Sequence, residues 1–239
     1  MKKLSIVRLI PNIVTFISLT LGLTSIKFAI DNKWEISVSL IVFASFLDNI
    51  DGKLARLFKS NSNFGIELDS LSDFLSFGIA PALIVFFWTL DGSINNSWAY
   101  VIFYAICSSS RLAKFNISSH EKDIKNIKLK FFQGISTPAA AGLVLLPMMI
   151  FFRFENDFFI NPILAAIILI CSAILMNTNI PTYSFKGLKI EKRIIPIVII
   201  FFAGFISLLI TDFWLAMILF ISFYYLSIPV AYFHSKRLE

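Results

Sequence analysis

Apolar residues in this chain fall in long blocks separated by short polar or basic stretches. Each block approaches the roughly 20 helical residues needed to cross a hydrocarbon core of about 30 Å. The pattern predicts eight spans, near residues 12–30, 34–57, 65–90, 97–115, 136–153, 160–177, 194–211 and 213–233. An even number of spans puts both termini on one side. The expected fold class is all-α: a polytopic membrane helical bundle of about eight transmembrane helices. The longest polar stretch, about 116–133, is too short for a soluble domain, so residues 1–239 read as a single membrane-embedded domain. Within that stretch HEKDIKNIKLK fits either a short amphipathic helix on the membrane surface or a solvated charge run. No internal repeat is found, whereas a transporter built from inverted halves tends to carry one.

Composition agrees with the pattern. The chain is 57% hydrophobic and 15% charged, with a mean hydropathy of +0.81, where soluble domains run about 45–50% apolar and about 25% charged. Of the 21 Lys and Arg, all but Lys27, Lys33 and Arg153 fall on the side that holds the termini. The excess of basic residues in cytoplasmic loops then places both termini in the cytoplasm, in a cell (inner) membrane. The net charge of +6 therefore reads as topology and as attraction to anionic lipid headgroups, about 1 kcal/mol per exposed base. No nucleic-acid partner is needed to explain it. Residues 1–30 have the basic start and apolar core of a signal peptide but no small-x-small cleavage site, so an uncleaved first span is expected. Cys107 and Cys171 lie in apolar blocks without metal-ligand spacing and read as small core residues.

The stretch with chemistry in it is FLDNIDGKLARLFKSNSNFGIELDSLSDFLSFG, which sets four aspartates at the ends of two largely apolar spans. Asp48 and Asp51 are three residues apart, and Asp69 and Asp73 are four apart, so each pair shares one helix face. A short turn around residues 59–63 brings the two faces together. An Asp at a span centre costs roughly 2.5–3.5 kcal/mol, and crowding like charges adds to that, so a cation is called for. Carboxylates with no Cys or His nearby favour Mg²⁺ or Mn²⁺ over zinc, and several of them can hold two ions. Gly52 and Gly65 lack bulk, which lets a ligand or a second backbone approach. Two other readings stay open on these residues alone: boundary charges reaching into water, and an ion-transport site.

DNIDGKLARLFKSNSNFGIELDSLSD fits D-x2-D-G-x2-A-R-x8-G-x3-D-x3-D at every fixed position. In this it resembles the CDP-alcohol phosphatidyltransferase family, and PNIVT, residues 11–15, resembles the P-N-x-x-T of that family's first helix. The resemblance implies a di-metal site of Asp48, Asp51, Asp69 and Asp73, holding Mg²⁺ or Mn²⁺, with Asp73 also acting as catalytic base. It implies that Asn12, Thr15, Gly52, Arg56 and Ser62 line the CDP headgroup of CDP-diacylglycerol. Arg56 offers a planar fork to phosphate, although by position alone, without the motif, it reads as a topology anchor.

Further segments resemble the branch of the family that uses L-serine as acceptor: SLSDFLSFGIAPA, RLAKFN, GISTPAAAGL and NTNIPTYSFKGLK. With them the likeness covers most of residues 8–190, the expected catalytic core, and leaves 194–233 as additional helices. The implied reaction is transfer of a phosphatidyl group to L-serine in phospholipid biosynthesis, on the cytoplasmic face, with membrane lipids as surroundings and a homodimer as assembly. The serine carboxylate needs a cationic partner, for which Arg111, with Asn116 near it, is the candidate at the end of its span. Acceptors such as glycerol 3-phosphate or inositol phosphate would instead call for several clustered basic residues. A divalent metal-ion transporter is the alternative of a different class.

Overall fold

The structure is a computed structural model and describes residues 9–57, 63–120, 131–178, 180–183 and 195–236. The described residues form eight α-helices: α1 (Ile10–Ile30), α2 (Trp34–Leu57), α3 (Asn63–Leu90), α4 (Trp98–His120), α5 (Thr137–Phe154), α6 (Pro162–Asn177), α7 (Ile195–Thr211) and α8 (Phe213–Lys236). Each coincides with one expected apolar block. The largest difference is at α4, which runs on to His120 through residues too polar to extend an apolar block. By length and composition three of the eight are fit to cross a membrane, α1, α3 and α5, while α6, α7 and the stretch Phe213–Pro229 are apolar but shorter. The HEKDIKNIKLK segment after His120 lies outside the described residues.

Local sequence explains the helix boundaries. Pro11 sits in the first turn of α1, Pro138 in that of α5 and Pro162 in that of α6, where a missing N–H costs nothing and φ is already set. Ser136 and Asn161 cap α5 and α6 by accepting from the backbone N–H of Ala139 and Ile163. The all-helical expectation misses one small feature: an antiparallel ribbon of β1 (Phe131–Gln133) and β2 (Pro181–Tyr183), with Phe132 opposite Thr182. Segments of three residues are too short to register as periodic, and their pairing joins chain stretches far apart in sequence. Gly134, at φ +71°, turns the chain from β1 toward α5, and a Cβ there would stand 2.8 Å from the Met176 carbonyl, so both the backbone twist and the space require glycine.

α3 is the central helix, packed against α1, α2, α4 and α5. Phe77, Ala80, Ala82 and Ile84 of α3 are fully buried with Val38 and Ala44 of α2, Tyr104 of α4, and Met148 of α5. Small residues let the helices close on one another. A Cβ on Gly22 of α1 would fall 2.3 Å from Ser76 Oγ, and one on Gly78 would fall 2.4 Å from Ser108 Oγ. α7 buries none of its residues and leans on α8.

Candidate active site

Four helix ends meet at one end of the bundle: the start of α1, the end of α2, the start of α3 and the end of α4. From α2 come Asp48 and Asp51, and from α3 comes Asp69. One carboxylate oxygen from each of these three lies within 4.8 Å of the others. The carboxyl groups of Asp48 and Asp73 stand within hydrogen-bonding reach of one another. Asp51 is buried and the other three are half-buried. The i,i+3 and i,i+4 spacings thus do what helical geometry says they should: each pair faces the other across the α2–α3 contact.

The donor set fits a hard divalent cation. All the oxygens are carboxylate, with no thiol or imidazole among them, and ligands on opposite sides of a Mg²⁺ would be about 4.2 Å apart, near the spread seen here. The two ion pairs among the described residues, Lys27–Asp31 and Arg153–Asp212, involve none of the four acids. Carboxylates this close repel one another unless a cation or a shared proton stands between them.

The neighbours are polar groups aimed at backbone and carboxylate. Thr15 Oγ1 lies 2.7 Å from Asp51 Oδ2 and 3.0 Å from the Pro11 carbonyl; having one proton, it donates to the charged acceptor for preference. Asn12 is half-buried one turn earlier on the same face of α1. Ser72, next to Asp73, reaches the Thr15 carbonyl at 3.3 Å. Gly52 has open space where a side chain would be. Arg56 is exposed, and its Nε donates to the Gly52 carbonyl at 3.0 Å. Ser62 lies outside the described residues, as does the turn expected at 59–63 except for Asn63.

Arg111, half-buried near the end of α4, donates from Nε to the Ile135 carbonyl just before α5, and is in electrostatic range of Asp73 and of Tyr224 of α8. Asn116, farther along α4, accepts from Ser70 Oγ at 3.0 Å. The two α4 residues therefore point differently, Arg111 to the start of α5 and Asn116 to α3. Lys114 and Asn177 are joined at 3.2 Å, and Asn177 also donates to the Cys107 carbonyl at 2.8 Å, which fastens α6 to the same end of α4. Sequence reasoning missed Ser70, Ser72 and Tyr225, whose hydroxyl donates to the Ala139 carbonyl of α5 at 3.0 Å. The serines' one signal was their place beside the aspartates, in LDSLSD.

This geometry can be set beside known proteins. The model of the CDP-alcohol phosphatidyltransferase family matches residues 8–178, which ends at the close of α6 and leaves α7 and α8 beyond it. The chain is similar to the CDP-diacylglycerol--serine O-phosphatidyltransferase of Helicobacter pylori, 35% identical over 195 residues, 81% of this chain and 79% of the relative. It is similar to the protein of that name in Mycobacterium leprae, 28% identical over 230 residues, 96% and 76% of the two chains. The one in Methanocaldococcus jannaschii is 33% identical over 177 residues, 74% and 76% of the two. The match takes in both helix ends that bring the four aspartates together, and this chain belongs to the CDP-alcohol phosphatidyltransferase family.

Proposed function

We propose that this protein is an integral membrane enzyme that transfers the phosphatidyl group of CDP-diacylglycerol to L-serine, giving phosphatidylserine and CMP. The observation that carries the reading is the meeting of Asp48, Asp51 and Asp69 from two helices, with Asp73 against Asp48, inside the segment matched to the family. The acceptor follows from the relatives named above, all of which bear the serine-using name.

Asp48, Asp51, Asp69 and Asp73 would hold Mg²⁺ or Mn²⁺, and Thr15 keeps the Asp51 carboxylate turned by its hydrogen bond. What a bound pair of such ions supplies is neutralisation of the pyrophosphate and of the departing CMP oxygen. Asn12, Thr15, Gly52 and Arg56 would form the CDP side of the site, to which the family likeness adds Ser62; the open space at Gly52 lets the nucleotide approach the backbone. Asp73 takes the serine hydroxyl proton as that oxygen bonds to the lipid phosphorus and the bond to the CMP oxygen breaks. Arg111, with Asn116 on the other side, faces the serine carboxylate: its Nε is occupied by Ile135, which fixes the plane of the guanidinium and leaves the terminal nitrogens for a carboxylate.

All eight helices cross the membrane in this reading. Both termini and the site face the cytoplasm of a cell membrane in this reading, because the order of the spans along the sequence puts all Lys and Arg but Lys27, Lys33 and Arg153 on the side that holds the termini. The family likeness further implies a homodimer. The test is CMP release from CDP-diacylglycerol by the purified chain with a panel of acceptors: L-serine, glycerol 3-phosphate, inositol phosphate. Serine is expected to be used at least about tenfold better by kcat/KM, a ratio that takes about 1.4 kcal/mol of differential transition-state binding. Preference for glycerol 3-phosphate would move the protein to another branch, and no CMP release with any acceptor would remove the enzyme reading.

A further inference from the structure

The helix that carries Asp69 and Asp73 changes its winding at the residue after Asp73. From Phe74 to Ile79 α3 is π-helical, with the Ala80 N–H bonded to the Leu75 carbonyl five residues back. Such a turn holds one residue more than an α-turn, so it rotates the part before it by about 100° against the part after it. The later part is fixed, since Ala80, Ala82 and Ile84 are all at 0% exposure in the core. The direction in which Asp69 and Asp73 face α2 therefore depends on that extra residue staying in place.

Two residues bear on it directly. In an α-helix the Phe77 carbonyl would accept from the N–H of residue 81, but residue 81 is Pro81 and has none. From α4 the Tyr104 hydroxyl donates to that same carbonyl at 3.1 Å, and Tyr104 is at 0% exposure. No water can reach that bond to replace it, and a buried carbonyl deprived of its donor is costly. The neighbouring contacts are steric or weaker: Ser76 Oγ reaches the Ser18 carbonyl at 3.3 Å, and Gly22 and Gly78 give the segment close seats on α1 and α4.

We propose that Tyr104 is a positioning residue for this reaction: its hydroxyl, on the carbonyl that Pro81 leaves without an α-helical donor, holds the π-turn of α3 in the register that turns Asp73 toward Asp48. The proposal rests on the reading of Asp48 to Asp73 as the metal-holding and catalytic acids. Tyr104 touches none of them and acts through the backbone of α3.

The test compares Tyr104→Phe with Thr89→Val in the purified full-length protein. Thr89 donates to the Ile160 carbonyl from the second π-turn of the same helix, Phe86–Leu90, at the far end of α3, so its variant reports the loss of a hydroxyl bond as such. Two quantities are read: kcat and KM for CMP release, and the Mn²⁺ concentration that gives half of the metal-dependent rise in thermal unfolding temperature. Tyr104→Phe is expected to lower kcat and raise the Mn²⁺ midpoint, each by about tenfold, with KM for CDP-diacylglycerol within about twofold; Thr89→Val should change neither. Pro81→Ala disturbs the turn from inside the helix, by returning the N–H that favours an α-register, and should give the Tyr104→Phe signature with the tyrosine intact. Wild-type kcat and Mn²⁺ midpoint in Tyr104→Phe, equal losses in Thr89→Val, or a normal Pro81→Ala beside an impaired Tyr104→Phe would each overturn the proposal while leaving the proposed function standing. A wild-type protein that neither releases CMP nor responds to Mn²⁺ would overturn both.

Discussion

Thr15 in α1 donates a hydrogen bond to Asp51 in α2, Oγ1 to Oδ2 at 2.7 Å, and both residues are buried. The bond orients the Asp51 carboxylate, which the Gly52 backbone N–H also reaches, and joins the first helix to the acid-bearing pair. Groups that orient a metal-holding carboxylate typically matter by about 10- to 100-fold in affinity or activity. Thr15→Val, which keeps the shape and loses the hydroxyl, is expected to raise the Mg²⁺ concentration for half-maximal CMP release by that factor, and Thr15→Ser to restore most of it. Equal half-maximal Mg²⁺ in wild type and Thr15→Val would leave the hydroxyl a helix-packing feature only.

Asp73 and Asp48 are neighbours with different expected duties. Asp73→Asn keeps shape while removing a basic oxygen, and should lower kcat by roughly 10² to 10⁴ with CDP-diacylglycerol still bound. Asp48→Asn should weaken metal and nucleotide binding together. Turnover of Asp73→Asn within about threefold of wild type, about 0.65 kcal/mol in barrier, would exclude Asp73 as the base. If it loses metal and nucleotide as Asp48→Asn does, Asp73 is chiefly a ligand.

Arg111→Lys keeps a positive charge but has no planar fork, and it gives up the Nε bond to Ile135. Its expected effect is a higher KM for serine with KM for CDP-diacylglycerol nearly unchanged. Competition by serine analogues measures the same contact: one lacking the carboxylate should lose its advantage for the wild type over Arg111→Lys. Equal effects on both substrates would make Arg111 structural.

Topology has its own check. Reporters fused after Glu239, or within residues 121–130, are expected to read cytoplasmic, and one between Asp91 and Asn96 external. A cytoplasmic signal from the Asp91 position would break the eight-span arrangement, because α3 would then begin and end on the cytoplasmic side and could not cross.

Removal of metal completes the set. Chelation is expected to abolish CMP release, and Mg²⁺ or Mn²⁺, but not Zn²⁺, to restore it, as hard carboxylate oxygens prefer. Full turnover in excess chelator would remove the metal from the reading.

The eight helices were legible because long apolar stretches bounded by polar or basic residues leave a mark on the chain that needs no partner to be read. The acids were legible for a related reason: an aspartate in such a stretch is expensive, so Asp48, Asp51, Asp69 and Asp73 stood out by chemistry and by helical spacing before any contact was known. The tertiary structure alone decided which helix leans on which. It put Thr15 on Asp51 and Ser70 on Asn116, and set Arg111 at the entrance of α5. It also placed Tyr104 on Phe77. These are meetings between residues far apart in the chain, and a hydroxyl that donates to a distant backbone carbonyl leaves no periodicity behind. The π-turn after Asp73 belongs with them: Pro81 marks a missing donor, but whether the helix kinks, breaks or gains a residue there depends on what stands opposite, and in this protein that is Tyr104.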